Sequence, residues 1–403
     1  MIHLAEWCPA RFDQFALLQR GRDLPKTQFQ SGEFPVAGSA GVIGFHNVAN
    51  VKGPGVTVGR SGSCGTIRFY QTDFFAHNTA LYVKDFFGNH PLYVAFFLEH
   101  FKPSRFKSGV SVPTLDRNQF RNEIVAVPEV GEQIQIARVL ATLQQAIEQQ
   151  QAIIATTREL KRSLMHKLFT EGLRGETQKP TEIGVVPESW DVVKLGECCD
   201  VVSSAIPYSD LEKTADYTGE DAVDVMGVKV SDMNLPGNEL AFNRAKLERK
   251  MPPSILRKRL IAAGTIVFPK RGAAIATNKK RIASGWTVLD PNLIGVVAGE
   301  RLNPDFLFHQ FQRLDLRKIT DPGPTPQLNK KDLLPLWLPV PKALDEQMEI
   351  ATSIGAVQNK IDDQCTKLSL LNDLFKTLLY QLMTAQLRVN ELDLDALGVP
   401  ALD

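Results

Sequence analysis

Between Arg244 and Arg281 the sequence sets twelve lysines and arginines against one acid, Glu248. An excess of eleven positive charges over 38 residues attracts a polyanion, and binding of that kind weakens as salt is added. A charge run is more often a solvated face. Here it stands inside a chain whose formal net charge is only +1, so the excess is local and points to nucleic acid. Lys270, Arg271, Lys279, Lys280 and Arg281 lie on or beside a glycine-bounded loop in this stretch. The N-terminal third carries a thinner version. Arg60, Ser61 and Ser63 sit on the Gly59–Gly65 loop and Lys107 and Ser108 precede Gly109, with Lys102, Arg105, Arg117 and Arg121 close in sequence. Arginine, lysine, asparagine and glutamine on such loops suit base-edge reading in a major groove, a role that the sequence does not separate from contacts to the phosphate backbone. The candidate DNA contacts are therefore Arg60, Ser61, Ser63, Lys107, Ser108, Lys270, Arg271, Lys279, Lys280 and Arg281.

Other chemistries find little to work with. There is no Walker A lysine loop. The glycine strings Gly38/Gly41/Gly44 and Gly59/Gly62/Gly65 do not open a long helix with an acid about 20 positions on, as a dinucleotide site requires. They read as turn glycines. Asn303-Pro304-Asp305-Phe306 lacks the second proline of an amino-methyltransferase motif, and the seven histidines show no metal-ligand spacing. Five cysteines without a CxxC pair read as reduced thiols. No apolar run approaches the roughly 18–20 residues of a membrane span, and Met1–Glu6 lacks the regions of a signal peptide. The expectation is a cytoplasmic, non-catalytic protein, with no catalytic, cofactor or metal residue assigned.

Two long helices must position the loops. From Glu132-Gln133 the apolar steps run Ile136, Leu140, Leu143, Ile147, then Gln150, then Ile154, the four-three spacing of a coiled-coil seam. From Glu346-Gln347, 214 residues later, the same seam reads Ile350, Ile354, Val357, Ile361, Gln364 and Leu368. It is expected to continue through Leu160, Leu164 and Leu168, and through Leu374, Leu378 and Leu382. Each helix, at about 40 residues and ~60 Å, is too long for the core of one small domain. Antiparallel pairing would bring Gln150 to Gln364 and hold a globular unit at each end.

The rest of the chain duplicates with less fidelity. Pro304 answers Pro91, Pro326-Gln327-Leu328 answers Pro113-Thr114-Leu115, and Leu338–Pro341 answers Val125–Pro128. Val267–Gly272 answers Val58–Gly62, and Asn292 answers Asn78. Residues 203–251 show no counterpart, and Gly175–Thr181, which has no apolar residue, reads as a linker. The expected divisions are a globular domain over 1–128, a helix over 132–174, a second domain over 184–341 and a helix over 345–390.

This pattern resembles the specificity subunit of type I restriction-modification systems. The residues that carry the likeness are Val127-Pro128 before Glu132-Gln133, Val340-Pro341 before Glu346-Gln347, and Ile136-Ala137 and Ile350-Ala351 on the first turns. Pro187, Trp190 and Leu195-Gly196 resemble the usual domain opening, which the first unit lacks. Arg20–Pro25 with Val36–Gly41 resembles a common kind of target recognition domain. The resemblance implies an α+β fold: two α/β target recognition domains separated by two long antiparallel coiled-coil helices, in a pseudo-twofold internal repeat. It implies that each domain reads one half of a bipartite, asymmetric DNA site, and that the helices space the halves and dock two methyltransferase subunits. Restriction subunits can join that complex. No cofactor is expected on this chain; S-adenosylmethionine, ATP and Mg would belong to its partners. A coiled-coil scaffold or decoy without specific DNA binding is the alternative.

Overall fold

The computed structural model describes residues 7–109, 113–257, 260–320, 323 and 325–393. It divides into two compact units, Met1–Ile154 with Asp363–Asp403, and Ala155–Asp362. Each unit holds one mixed α/β domain and half of each long helix.

In chain order the first domain comprises β1 (Cys8–Arg11), α1 (Phe12–Phe15), β2 (Leu17–Arg20), β3 (Phe34–Gly38), β4 (Gly41–His46) and β5 (Gly55–Gly59). It continues with β6 (Ile67–Tyr70), β7 (Phe75–Ala76), β8 (Ala80–Asp85), α2 (Pro91–Phe101), β9 (Lys107–Ser108), β10 (Thr114–Leu115) and β11 (Ile124–Val127). The central sheet runs β2-β8-β5-β6 and a smaller one β4-β3-β7. Pro91 fits the first turn of α2, where a missing N–H costs nothing, and the helix that follows is buried along most of its length. Its Phe97 and Phe101 join Phe12, Phe15 and Phe120 in an aromatic core, with ring centroids 4.7 Å apart for Phe15–Phe97 and 5.1 Å for Phe12–Phe120. Burial of each such ring contributes on the order of 1.5–3 kcal/mol.

The first long helix, α3 (Val130–Glu171), leads into β12 (Gln178–Thr181), β13 (Gly184–Pro187), β14 (Asp191–Lys194), α4 (Leu195–Cys198), β15 (Cys199–Val202), α5 (Tyr208–Lys213) and β16 (Val223–Val228). Then come β17 (Ala241–Phe242), β18 (Leu247–Met251), β19 (Ile266–Pro269), β20 (Arg281–Ala283), β21 (Thr287–Leu289) and β22 (Leu293–Ala298). Last are α6 (Pro304–Arg313), α7 (Lys330–Leu333), β23 (Trp337–Val340) and the second long helix, α8 (Leu344–Met383). Half of the expected linker is thus β12, which pairs with β13.

Each domain is tied to its long helix by one repeated device. The buried Gln133 side chain accepts from His90 N at 2.9 Å and donates to Pro128 O at 2.9 Å. Gln347 does the same, accepting from Asn303 N at 2.8 Å and donating to Pro341 O at 3.0 Å. The glutamate beside each takes an indole: Trp7 Nε1 donates to Glu132 at 3.2 Å and Trp190 Nε1 to Glu346 at 3.0 Å. Trp7 therefore supplies the domain opening that the sequence reading missed. The equivalence extends onward, since Phe12 N donates to Glu123 O as Leu195 N donates to Leu336 O, at 2.8 and 2.7 Å. Phe12 and Asp13 replace Leu195 and Gly196, which hides the match.

The front half of the second domain also has a counterpart after all. In the first domain β3 pairs antiparallel with β4 and parallel with β7. In the second, β16 pairs antiparallel with β18 and parallel with β21. The ladders are made by backbone, so the topology persists where the side chains have nothing in common. The register of the repeat is corrected by one residue elsewhere: Asn292 O accepts from Lys270 N at 2.8 Å as Thr79 O, not Asn78, accepts from Arg60 N at 2.8 Å.

Within each unit the helix halves run antiparallel. Ile136 and Leu140 share a core with Leu378 and Leu382, and Gln150 meets Gln364. In the other unit Leu168 clusters with Ile350 and Ile354, and Lys161 Nζ donates to Gln358 at 2.6 Å. Leu160 and Leu374, expected in the seam, are 57% and 40% exposed. Beyond Ile154 the four-three rhythm falls on Thr157 and Lys161, and in α8 on Leu371 and Phe375, all half-buried. The helices also end sooner than expected, at Glu171 and Met383, because Gly172 (φ 67°) and Ala385 (φ 51°) turn left-handed.

Candidate nucleic-acid interface

The candidate loop of the first domain is fixed almost wholly by backbone. Arg60 N donates to Thr79 O and its own carbonyl accepts from Leu115 N, both at 2.8 Å. Ser61 bridges to Thr114, and Thr114 and Leu115 pair with Ser108 and Lys107. Arg60-Ser61, Thr114-Leu115 and Lys107-Ser108 are therefore three adjacent extended segments. The Cys64 Sγ lies between two backbone carbonyls, 3.0 Å from Arg60 O and 2.9 Å from Pro113 O, and its single S–H is shared between them. Gly59 must be glycine, since a Cβ there would lie 2.1 Å from Ser63 O and 2.4 Å from Ser39 O. Ser63, Lys107 and Ser108 are exposed, and Arg60 and Ser61 half-buried. The five candidates of this domain form one surface.

The second domain builds the same frame. Leu328 N donates to Lys270 O at 2.9 Å, Gly272 N to Pro326 O at 2.8 Å, and Arg271 bridges to Gln327. Lys270 and Arg271 occupy the positions of Arg60 and Ser61. Burial, then the neighbouring Arg271 charge, lowers the Lys270 ammonium pKa from its ordinary value. Lys279 reaches the Asn234 side chain.

Lys280 and Arg281 do not belong to this surface. Lys280 is buried, donating to Asn278 Oδ1 at 2.9 Å and Leu314 O at 2.5 Å, and burial pulls its ammonium down to about 8. Arg281 is buried too, with Nη1 on Lys280 O at 2.8 Å and Nη2 on Met233 O at 2.9 Å. Both charges are consumed in satisfying backbone carbonyls that would otherwise be buried unpaired. The wider cluster thins in the same way. Arg249 caps Thr214 O at 2.9 Å and Lys250 pairs with Asp224 at 3.8 Å, while Lys258 and Arg259 lie outside the described residues. In the first domain Arg117 holds Leu18 O at 2.6 Å and Arg121 holds Asp13 at 3.3 Å. Arg105 lies over the Phe101 ring at 4.4 Å. Sequence counts cations without distinguishing those that serve the fold.

Among the described residues no group of three or more His, Cys, Asp or Glu is placed to hold a metal ion. No helix among them is long and apolar enough to cross a membrane.

Residues 6–156 match the model of the family described as type I restriction modification DNA specificity domain. The match covers the first domain and the first part of α3. Over a longer span the chain is similar to the type I restriction enzyme MjaVIII specificity subunit of Methanocaldococcus jannaschii, 26% identical over 313 residues, covering 73% of this chain and 69% of the relative. It is similar also to the putative MjaX specificity subunit of the same organism, 24% identical over 310 residues, covering 74% and 68%. In fold it matches the type I restriction-modification S subunit of M. genitalium with a TM-score of 0.63 at 16% identity, covering 93% of this chain and 96% of that one. The frame that carries Arg60 in the first domain, which the family model matches, is the one that carries Lys270 in the second.

Proposed function

We propose that this chain is the sequence-specific DNA-recognition subunit of a type I restriction-modification complex, each domain reading one half of a bipartite, asymmetric site. The observation that carries the reading is the loop frame built twice with different side chains: Arg60-Ser61 in one domain, Lys270-Arg271 in the other. One backbone frame presents two chemistries, which is what two unlike half-sites require. The paired helices space the half-sites and dock methyltransferase subunits, to which restriction subunits can add. This chain contributes recognition and assembly, without catalysis; S-adenosylmethionine, ATP and Mg act on the partner subunits.

A gel shift tests this. The chain with its methyltransferase subunit should retain a defined subset of a random duplex pool, with affinity that falls as salt rises. Retention of no sequence over any other would leave only a scaffold.

A further inference from the structure

Residues 34–51 of the first domain contain no Asp, Glu, Lys or Arg, in a chain that is 23% charged. They form the β3–β4 hairpin, and β4 is the outer strand of its sheet. Pro35 stands opposite Phe45, Val36 opposite Gly44, but Ala37 opposite Val42. That register shift is a bulge at Ile43, and it turns Val42 and Phe45, three positions apart, onto one face of the ladder. They are 51% and 56% exposed. Ile43 leaves by the other face, where a Cβ on Gly38 would meet its Cγ2 at 2.8 Å. Buried His46 anchors the strand, its ring 5.7 Å from that of Phe75 and its Nδ1 accepting from Gln30 N at 3.1 Å.

The hairpin is continuous with the candidate DNA surface. Ser39 in its turn abuts the loop of Arg60, Ser61 and Ser63, which is why Gly59 tolerates no side chain. Arg68 Nε lies 3.5 Å from where a Cβ on Gly41 would stand. A duplex resting on Arg60, Ser63 and Lys107 therefore meets this strand beside it. An uncharged strand gives phosphate no ionic contact, but a β-ribbon fits a major groove, where the thymine C5-methyl is the apolar group on a base edge.

We propose that Val42 and Phe45 are specificity-determining residues that pack on thymine methyl groups in the half-site read by the first domain. This rests on the DNA-recognition reading above and names a base that reading leaves open.

The test uses the complex of this chain with its methyltransferase subunits and a duplex bearing its methylated site. Deoxyuridine, which lacks only the methyl, replaces thymidine in one half-site at a time. Loss of one buried methyl should weaken binding about fourfold, in one half-site and not in the other. The Val42→Thr/Phe45→Thr pair keeps strand-forming residues and removes no charge. It should bind thymine and uracil duplexes alike, with the salt slope of the parent. A parent that binds its site specifically but ignores uracil overturns the thymine assignment and leaves DNA recognition standing, as does a recognised half-site without thymine. A variant pair that keeps the uracil penalty, or that loses subunit assembly with the penalty unchanged, overturns it as well. Absence of any site preference in the parent overturns the recognition reading and this inference together. The uracil arm needs no variant, so misfolding of the pair does not protect the proposal.

Discussion

Gln150 Nε2 donates to the backbone carbonyl of Gln364, 214 positions away, at 3.2 Å, and the two side-chain amides also hydrogen-bond to each other. The seam's one shared polar layer is therefore made by the equivalent residue of each helix. An amide pair of this kind, with Gln150 buried and Gln364 half-buried, fixes register at some cost in stability.

Replacing only one of the pair strands the other. Gln364→Leu, which leaves the buried Gln150 amide short of its partner, should destabilise the protein by about 1–3 kcal/mol, and Gln150→Leu by less, since the half-buried Gln364 amide still reaches water. The Gln150→Leu/Gln364→Leu double variant should recover most of that loss. Urea unfolding of the parent, both single variants and the double one gives the coupling, and additive losses would mean that the amides do not act as a pair.

Two neighbouring cations should behave oppositely. Arg271→Ala should leave stability within about 0.5 kcal/mol, weaken DNA binding and lower the salt slope by about one. Lys280→Ala should cost about 1–3 kcal/mol through the uncapped Leu314 carbonyl and the lost contact to Asn278, with the salt slope unchanged. Titrations at several salt concentrations, with thermal unfolding alongside, separate the two.

Glu132 gathers distant parts of the first unit. It accepts from Trp7 at 3.2 Å and forms a two-point ion pair with Arg388, Nε to Oε1 at 2.8 Å and Nη2 to Oε2 at 3.0 Å, both side chains largely shielded. Arg388→Met should cost roughly 2 kcal/mol by leaving that carboxylate short of a partner. Hydrogen exchange should show amides of residues 387–392 opening first. Unchanged exchange there would mean that the ion pair holds nothing.

His309 sets a pH dependence. Burial, reinforced by the nearby Lys161 ammonium, pulls the imidazole down to about 4. Its folded pKa lies below the ordinary value of about 6.5, so between those limits the unfolded chain binds more protons. Stability from this residue is present above pH ~6.5 and is lost as pH falls toward 4, by roughly 3 kcal/mol at most. His309→Gln should flatten that part of the stability curve relative to the parent. Parallel curves would place the titration elsewhere.

The helices were legible because a four-three apolar rhythm has few other uses, and a 214-residue echo of it fewer still. Leu160 and Leu374 misled because leucine reads as core, while the seam passes through Thr157 and Lys161. The first domain's opening was hidden because only Trp7 is shared with the second, and the hairpin equivalence because backbone ladders leave no trace in side chains. The loop positions of Arg60, Lys107, Lys270 and Arg271 were legible from the glycines around them. The burial of Lys280 and Arg281 was not, since a cation that caps a carbonyl and one that faces solvent are the same letter.

On the proposed function, two unlike domains read two unlike half-sites. Methylome sequencing of a host carrying this chain with a methyltransferase subunit should then show one new methylated motif, with two different half-sites around a spacer of fixed length. Replacing residues 1–127 by the first domain of a relative should change one half-site and leave the other intact. A palindromic motif, or a graft that alters both halves, would contradict it.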